Sequence, residues 1–367
     1  GKDVSLVKRV KGEDGQFWSG AVPGDTHSAD KIKGFFQRGF TVVINKADMR
    51  DPNIGTLARH LEEELGITVQ ANIYFTNAGS QGFEHHFDPM ETFILQVEGK
   101  KRWRVLSHLL ELPRHEQKFK PTIDEVDGLR VVYDVVLEQG DMLYMPRGVV
   151  HEAFTLEDTP SMHVTIGIDH QFVTWETVVH EAAQLAGPYA FQPELVALNL
   201  NATSLLHLSI WQLAQGSVSF RRGWLLTWPF NATTDSAAKR QRWDAVFDEL
   251  QLKASNNVLE LIQLHREWVA NATTDGICGH MISPIPPNDL TSSQATMAGE
   301  AWSGIVGRFV GQGRLLLEAA SSSVASQTRQ VLQTREETRV HSLKRHELKR
   351  EERMRQKQSA AKGHREL

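Results

Sequence analysis

Residues 82–103 read GFEHHFDPMETFILQVEGKKRW, and two strand-like runs begin within them. The first is ETFILQV (91–97), and the second is RWRVL (102–106), which starts shortly after the Glu98-Gly99 turn. β-Branched and aromatic residues in such short runs are typical of strands. This stretch therefore predicts two successive strands, preceded by a segment that carries His86 and Asp88.

Runs of the same kind occur throughout the region from about Gly34 to Asp169, separated by turn formers and short charged loops. The others are FTVVIN (40–45), QANIYF (70–75), LRVVYDVVL (129–137), DMLYMP (141–146) and MHVTIGI (162–168). Many short strands at close spacing predict a β-sandwich or barrel. One helix interrupts them over residues 54–66, where apolar positions recur at helical spacing and Gly66 is placed to end it.

The character of the sequence changes after Phe172, where successive segments have helical periodicity and are separated by Pro, Gly and Asn. A Pro-rich break follows at 283–290, and the small-residue run SSSVAS (321–326) indicates a linker. We predict an α+β protein with five regions. They are a lead-in (1–33), a β-rich domain (34–172), a helical domain (173–275), a C-terminal region (276–320), and a linker with a basic helical tail (321–367).

Composition limits the class of protein. The 367 residues are 40% hydrophobic and 23% charged, which is typical of a globular chain with two or three domains and excludes wholesale disorder. The single cysteine, Cys278, excludes a disulfide scaffold and a Cys-rich zinc module. The run Leu195–Phe220 lacks Asp, Glu, Lys and Arg but contains Asn, Gln and His, so we expect a buried helix pair and no membrane span.

Charge is distributed unevenly along the chain. The formal net charge is −5, yet residues 329–367 contain 12 Lys+Arg and 6 Asp+Glu, so the body is acidic and the tail basic. Opposite charges interleave at helical spacing in the tail, which favours a solvated, salt-bridged surface helix. The alternative is a tail that directs the protein to the nucleus or contacts nucleic acid.

Three side chains in the β-rich domain could converge on one metal ion. His86 and Asp88 are two residues apart, which on a strand places both side chains on the same face. In GDMLYMPRGVVHEAF (140–154), Pro146-Arg147-Gly148 makes a turn and His151 begins the next strand. Two histidines and one carboxylate form the facial triad of non-haem Fe(II) oxygenases, and the lack of thiolates argues against structural zinc.

Lys101 lies just past the Glu98-Gly99 turn on the following strand. An oxygenase that uses 2-oxoglutarate must hold a dicarboxylate, one end of which chelates iron while the other needs a buried cation. Considered alone, Lys101 is most simply an exposed turn lysine. Next to the triad it becomes the predicted anchor, and Lys100, on the opposite face, is an internal control.

Three stretches resemble the JmjC/cupin-type ribosomal oxygenases. They are ANIYFTNAGSQGFEHHFDPMETFILQVEGKKRWRV (71–105), VVLEQGDMLYMPRGVVHEA (135–153) and MHVTIG (162–167). That family contains histidyl hydroxylases of ribosomal proteins, some of them also described as lysine-specific histone demethylases, and bacterial arginyl hydroxylases. The resemblance covers roughly residues 34–175.

The resemblance implies a double-stranded β-helix that uses Fe(II), 2-oxoglutarate and O2. It implies iron ligands at His86, Asp88 and His151, and 2-oxoglutarate anchored by Lys101. It also implies that Asn72 and Tyr74 face the pocket for cosubstrate and substrate, and two last-strand residues are candidates to touch 2-oxoglutarate. Those two are His163 and Thr165.

The chain departs from the family at positions that border the substrate. His85 stands where proline usually precedes the first ligand, Pro89 replaces an acidic residue, and Gly167 replaces a pocket serine. These differences leave the choice of target open. The helical region after Phe172 is compatible with the family's dimerisation domain, whereas residues 276–315 lack clear strands for the family's winged helix.

The sequence therefore favours a protein hydroxylase that acts on a histidyl or arginyl side chain of a ribosomal protein. Two alternatives stay open: a histone lysine demethylase with the same iron site, and a catalytically silent cupin-like scaffold. We expect a homodimer, formed through the helical domain. The basic tail and the resemblance favour a location in the nucleus or nucleolus, and the alternative is the cytoplasm. We do not expect secretion, since GKDVSLVKRV at the start has no apolar signal segment.

Overall fold

The computed structural model describes residues 4–11, 17–21, 28–170, 173–186, 202–223, 232–254, 258–264 and 291–363. The chain divides into two compact units, one of residues 1–170 with 329–367 and one of residues 171–328. The metal ligands predicted from the sequence all belong to the first unit.

The first unit is built on antiparallel strands. Over the described ranges these form a seven-stranded sheet of order β2-β1-β3-β4-β10-β5-β8 and a three-stranded sheet of order β7-β6-β9. The strands are β1 Val4–Lys11, β2 Phe17–Ala21, β3 Thr41–Ile44, β4 Val69–Thr76, β5 Glu91–Gly99, β6 Lys101–His108, β7 Val131–Leu137, β8 Met142–Met145, β9 Val149–Thr155 and β10 Ser161–Ile168.

The two sheets pack face to face. Ile94 and Met145 of the larger sheet share one buried cluster with Trp103, Val105 and Leu137 of the smaller sheet. Apolar side chains from alternate positions thus meet between the sheets, as the strand period of two requires. The predicted α+β class with a β-sandwich is confirmed.

The helix predicted over residues 54–66 is α2, Pro52–Leu65. It begins two residues earlier than predicted because the Asp51 side chain accepts hydrogen bonds from the backbone N–H groups of Asn53 and Ile54, and Pro52 fits the first turn. It ends as expected at Gly66, whose φ of 65° is the left-handed conformation of a helix C-cap.

The structure places more of the N-terminal segment in the sheet than the sequence predicts. β1 pairs with β3 from Val4↔Ile44 to Val7↔Thr41, so the supposed lead-in (1–33) adds two strands to the larger sheet. Three of the eight β1 residues are charged, a composition that resembles a surface segment. The segment also contains most of α1, Ala29–Gln37, which Ser28 caps.

The second unit is helical. Its helices are α4 Trp175–Leu185, α5 Ala202–Gly216, α6 Val218–Arg221, α7 Ala232–Ala254, helical residues 258–264 and the first part of α8, Ser292–Gly363. Trp175 and Trp243 are buried in the core of the second unit, whereas Trp211 is 39% exposed.

The first unit also contains a short helix, α3, Ile123–Asp127, and 3-10 turns at Ala47–Met49 and His115–Gln117.

Residues 292–363 form one helix, which changes two predicted boundaries. The SSSVAS run (321–326) is helical and not a linker, and Ala320 and Val324 are buried in the core of the second unit. Small residues at this place allow close packing rather than flexibility. Within the predicted 276–320 region, residues 292–320 are helical and 276–290 lie outside the described residues. No helix among the described residues combines the length and apolarity that crossing a bilayer requires.

The part of α8 after residue 328 belongs to the first unit and is held there by two arginines. Arg339 is 1% exposed, and its guanidinium lies 2.8 Å from Glu62 and 3.8 Å from Asp48. Arg335 binds the same two carboxylates at 2.7 Å and 2.9 Å. A fully solvated tail helix is therefore wrong at these two positions, since both arginines compensate buried carboxylates.

The same carboxylates are also joined to β4. Asp48 accepts a hydrogen bond from the Ala71 N–H at 3.0 Å, and Glu62 accepts one from the Val69 N–H at 3.0 Å. At Gly55 of α2, a Cβ atom would lie 2.8 Å from the carbonyl oxygen of Asp48 and 3.3 Å from Cδ1 of Leu343, so glycine permits the close approach of the Asp48 backbone and of the tail. The tail is thus part of the framework that holds the first residues of β4.

Replacing Arg339 with Met removes the buried guanidinium and leaves Glu62 and Asp48 with Arg335 as their main cation. We expect the free energy of unfolding to fall by about 3 kcal/mol, because a buried carboxylate loses its counter-ion. Chemical denaturation of the full chain measures the change. Arg355→Met is the matched control, since Arg355 is 81% exposed and its 3.8 Å pair with Glu351 is on the surface. An unchanged midpoint for Arg339→Met would contradict this view of the tail.

Candidate metal centre

The segment that carries His86 is fixed directly to β9. His86 donates its backbone N–H to the carbonyl of His151 at 3.0 Å, and His151 donates to the carbonyl of His86 at 2.8 Å. This antiparallel bridge lies outside the named strands, so the strand expected at His86 and Asp88 is reduced to a single extended pair. Directly opposite residues of such a pair share one face, and the two imidazole rings lie with their centroids 4.4 Å apart.

His86, Asp88 and His151 form the cluster that the sequence predicts. One ligand atom from each lies within 4.8 Å of the others, and among the described residues this is the group of three that could hold a metal ion. Nε2 of His151 is 3.9 Å from Oδ2 of Asp88. His85 lies outside the cluster, in agreement with the predicted register.

Backbone carbonyls orient both imidazoles. Nδ1 of His86 lies 2.7 Å from the carbonyl oxygen of Glu84, and Nδ1 of His151 lies 3.0 Å from that of Val149. A carbonyl oxygen only accepts, so each Nδ1 carries the proton and each Nε2 presents its lone pair. Metal-binding histidines donate their other ring N–H to a carbonyl or carboxylate oxygen in this way, and the arrangement fits a divalent cation at the three ligand atoms.

The electrostatics of the cluster favour ligands that are ready to bind. Burial, and then the neighbouring His86, lower the pKa of His151 to about 4, which keeps its imidazole neutral at pH 7. Burial opposes ionisation of Asp88, but His86, His151 and Lys118 together hold the pKa of this carboxyl below its usual range. Two imidazole nitrogens and one carboxylate oxygen are the donor set of the facial triad.

The turn before β9 holds the backbone of Asp88. Gly148 donates its N–H to the carbonyl of Asp88 at 2.9 Å and has a φ of 86°, a left-handed conformation. A Cβ atom at this position would collide with the carbonyl oxygen of Leu110 and the ring of Pro113. The sequence Pro146-Arg147-Gly148 therefore needs glycine for both its conformation and its close contacts.

The triad opens into a cavity of about 420 Å³ between the two sheets. Both sheets contribute to its lining, which includes Lys101, Tyr74, His163 and Thr165. The apolar part of the lining comes from Val7, Val43, Phe83, Ile94, Trp103 and Ala153. This cavity brings the predicted metal ligands and the predicted anchor into one space.

Lys101 is the buried cation of this cavity. It is 5% exposed, its Nζ donates to Oγ1 of Thr76 at 3.2 Å, and it lies 5.8 Å from the centroid of the Trp103 ring. No carboxylate of the described residues forms an ion pair with it, and burial lowers its pKa to about 7. Lys100 is exposed and pairs with Glu138 at 2.6 Å, so the two lysines face opposite sides as predicted.

The other predicted pocket residues divide into two groups. Tyr74 and Thr165 line the cavity, and the Tyr74 ring stacks on His163 at 4.8 Å. Burial raises the pKa of Tyr74 to about 12, so its phenol keeps its proton. Asn72 does not belong to the lining residues, and its Oδ1 accepts a hydrogen bond from the Lys46 N–H at 3.0 Å. The Asn72 side chain also hydrogen-bonds to Tyr74, which does line the cavity, and the role predicted for Asn72 stays a prediction.

Sequence reasoning missed Trp103 and Lys118. Trp103 is two residues after Lys101 on β6 and lines the same cavity, so the strand period could have identified it. Lys118 comes from a loop without periodicity, yet its Nζ lies 3.4 Å from Oδ1 of Asp88. At Gly167, where the family tends to have serine, a Cβ atom would lie 2.5 Å from Sδ of Met90, so Met90 takes that space.

Known proteins are similar to the part of the chain that contains this site. Residues 48–175 match the model of the JmjC domain family. A stretch of 136 residues is 38% identical to the bifunctional lysine-specific demethylase and histidyl-hydroxylase NO66 of Drosophila persimilis, covering 37% of this chain and 19% of that protein. Another of 141 residues is 36% identical to ribosomal oxygenase 1 of Danio rerio, covering 38% of this chain and 26% of that protein.

The resemblance to ribosomal oxygenases is therefore confirmed over this segment, and the chain spans about a quarter or less of the length of these two relatives. Among solved structures, YcfD, a ribosomal oxygenase from Escherichia coli in complex with cobalt and 2-oxoglutarate, is 19% identical. The similarity has a TM-score of 0.32 and covers 73% of this chain and 59% of that one.

The pKa of Lys101 gives a pH dependence to anion binding. The Lys101 amine is protonated below about pH 7 and loses its charge as the pH rises through 7. The affinity for a dicarboxylate should therefore fall about tenfold for each pH unit above 7. Equilibrium binding of 2-oxoglutarate to the Co(II)-loaded full chain, from about pH 6 to about pH 9, measures this. In Lys101→Arg the guanidinium stays charged and the dependence should flatten. If the affinity of the wild type for 2-oxoglutarate stays constant across this pH range, Lys101 does not bind its far carboxylate.

Proposed function

We propose that this chain is an Fe(II)- and 2-oxoglutarate-dependent protein hydroxylase that modifies a histidyl or arginyl side chain of a ribosomal protein. The observation that carries the proposal is one cavity that contains both a two-histidine, one-carboxylate triad and a buried lysine without a carboxylate partner among the described residues. The names of the relatives, a histidyl-hydroxylase and a ribosomal oxygenase, supply the reaction type and the substrate class.

The donor set fits Fe(II). His86, Asp88 and His151 would hold the ion through Nε2, a carboxylate oxygen and Nε2, and this leaves open positions for further ligands. Fe(II) with 2-oxoglutarate and O2 supplies an oxidant that can hydroxylate an unactivated C–H bond. The protein's contribution is to place cosubstrate and substrate next to that ion and to exclude water.

Lys101 would bind the far carboxylate of 2-oxoglutarate. Burial makes its charged form costly without a partner, and a bound carboxylate removes that cost. Thr76, which already accepts from Lys101, is positioned to share this role at 3.2 Å. Nε1 of Trp103 and Nδ1 of His163 are buried in the cavity without hydrogen-bond partners among the described residues. Both atoms are therefore available to form hydrogen bonds with a ligand.

A histone lysine demethylase is the second candidate, because the NO66 relative carries both activities in its name. Both reactions begin with insertion of an oxygen atom into a C–H bond, so the same triad serves either. They differ in the product, since a hydroxylated side chain keeps the oxygen whereas a hydroxymethyl group on nitrogen is lost as formaldehyde. A silent scaffold is less favoured, because the triad and Lys101 are both in place.

We also propose two partners for this chain, a nucleic acid and a second copy of the chain. The basic residues near the end of α8, such as Arg353 and Arg355, are exposed, which supports contact with nucleic acid and a nuclear or nucleolar location. Homodimerisation is proposed through the second unit. Trp175 and Trp243 belong to the core of that unit, so the interface would use its exposed apolar residues, including Trp211 and Leu259.

Succinate formation from 2-oxoglutarate, measured with Fe(II) and ascorbate, tests the cosubstrate site. We expect Lys101→Ala to reduce turnover at subsaturating 2-oxoglutarate by about 100-fold, because the far carboxylate loses its charge-assisted partner. Lys100→Ala is the matched control, since Lys100 precedes Lys101 but pairs with Glu138 at the surface. Equal losses in the two variants would contradict a specific role for Lys101.

Mass spectrometry of the product separates hydroxylase from demethylase. Incubation with ribosomal-protein peptides should add about 16 Da to one residue, consistent with one inserted oxygen atom. Methylated histone peptides should keep their methyl groups under the same conditions. Asp88→Ala should abolish the addition, because the triad loses its carboxylate. Methyl loss without hydroxylation would favour the demethylase instead.

A further inference from the structure

Lys118 approaches the metal centre from outside the triad. Its Nζ lies 3.4 Å from Oδ1 of Asp88, while Oδ2 of the same carboxylate is the atom 3.9 Å from Nε2 of His151. The two oxygens of Asp88 therefore have different neighbours. One is directed toward the other ligands, and the other is next to an ammonium group that also lines the cavity.

The loop around Lys118 is anchored on both sides. Before it, Oε1 of Gln117 accepts a hydrogen bond from the Arg114 N–H at 2.9 Å. After it, the ring of Phe119 packs edge-on against Phe87 with centroids 5.0 Å apart, and Phe87 is fully buried next to Asp88 in the chain. The backbone at Lys118 is thus held by contacts that do not depend on its own ion pair, and its side chain, which is 50% exposed, reaches Asp88 from the solvent side.

The number of oxygens that Asp88 offers decides how many positions stay open. A carboxylate binds a divalent cation through one oxygen or through both. The facial triad keeps three positions open on an octahedral ion, and a 2-oxo acid needs two of them. A second oxygen from Asp88 would occupy a position that the cosubstrate and O2 require.

We infer that Lys118 is a positioning residue that holds Oδ1 of Asp88 and so restricts this carboxylate to one oxygen toward the metal. The inference rests on the proposed function. Lys118 acts through Asp88, and its effect falls on the space left for 2-oxoglutarate rather than on the hold of the protein on the ion. Removing the ammonium should therefore affect the two affinities differently.

The experiment titrates the full-length chain with Fe(II) without O2 and then with 2-oxoglutarate. The readouts are the metal affinity and the visible charge-transfer absorption of an Fe(II)-chelated 2-oxo acid. For Lys118→Met we expect a metal affinity equal to or tighter than wild type, and an affinity for 2-oxoglutarate weaker by at least about tenfold. Lys118→Arg keeps a cation beside Oδ1 and should restore most of the 2-oxoglutarate affinity.

Lys100→Met is the matched control. Lys100 is a surface lysine that pairs with Glu138 at 2.6 Å and contacts none of the triad residues, so both affinities should stay at the wild-type values. The inference is overturned if Lys118→Met binds 2-oxoglutarate as wild type does, or loses metal and 2-oxoglutarate together. If the wild type itself binds Fe(II) without developing the absorption, the proposed function fails, and the inference fails with it.

Discussion

Two backbone hydrogen bonds between His86 and His151 determine the geometry of the site. They join an irregular segment to β9, and because paired residues share a face, they place two imidazoles side by side. The N–H of Gly148 then fixes the carbonyl of Asp88, which brings the third ligand to the same side. The triad is thus a product of main-chain pairing, and carbonyl oxygens at each Nδ1 leave the Nε2 atoms available.

Two buried cations of the first unit show how burial separates structure from function. Arg339 is almost fully buried, and its guanidinium is matched by Glu62 and Asp48, so its charge holds the tail helix in place. Lys101 is buried to a similar degree, but its Nζ contacts the hydroxyl of Thr76 and the Trp103 ring, and no carboxylate among the described residues pairs with it. A buried charge without a counter-ion is unfavourable. An anionic ligand that supplies the counter-ion is the simplest physical reason to keep such a group.

Much of this could be predicted from the sequence, because local patterns determine it. The strand period and the Gly66 cap depend on neighbouring residues, and the structure confirms both. His86 and Lys101, which are close in sequence, line one cavity. Contacts between distant segments could not be predicted. From the sequence, Arg335 and Arg339 are expected to be surface charges, but the fold brings Asp48 next to both. Nothing in the loop sequence distinguishes Lys118, which contacts Asp88, from Lys120, which contacts Glu84. Charge and composition show which residues are ionic, but only tertiary packing shows which are paired.

A crystal structure of the full chain with Co(II) and 2-oxoglutarate tests the central claim most directly, because cobalt can occupy an iron site without supporting turnover. We expect one cobalt ion bound by Nε2 of His86, one oxygen of Asp88 and Nε2 of His151, with the far carboxylate of 2-oxoglutarate on Nζ of Lys101. Cobalt bound elsewhere, or 2-oxoglutarate with its far carboxylate away from Lys101, would contradict it.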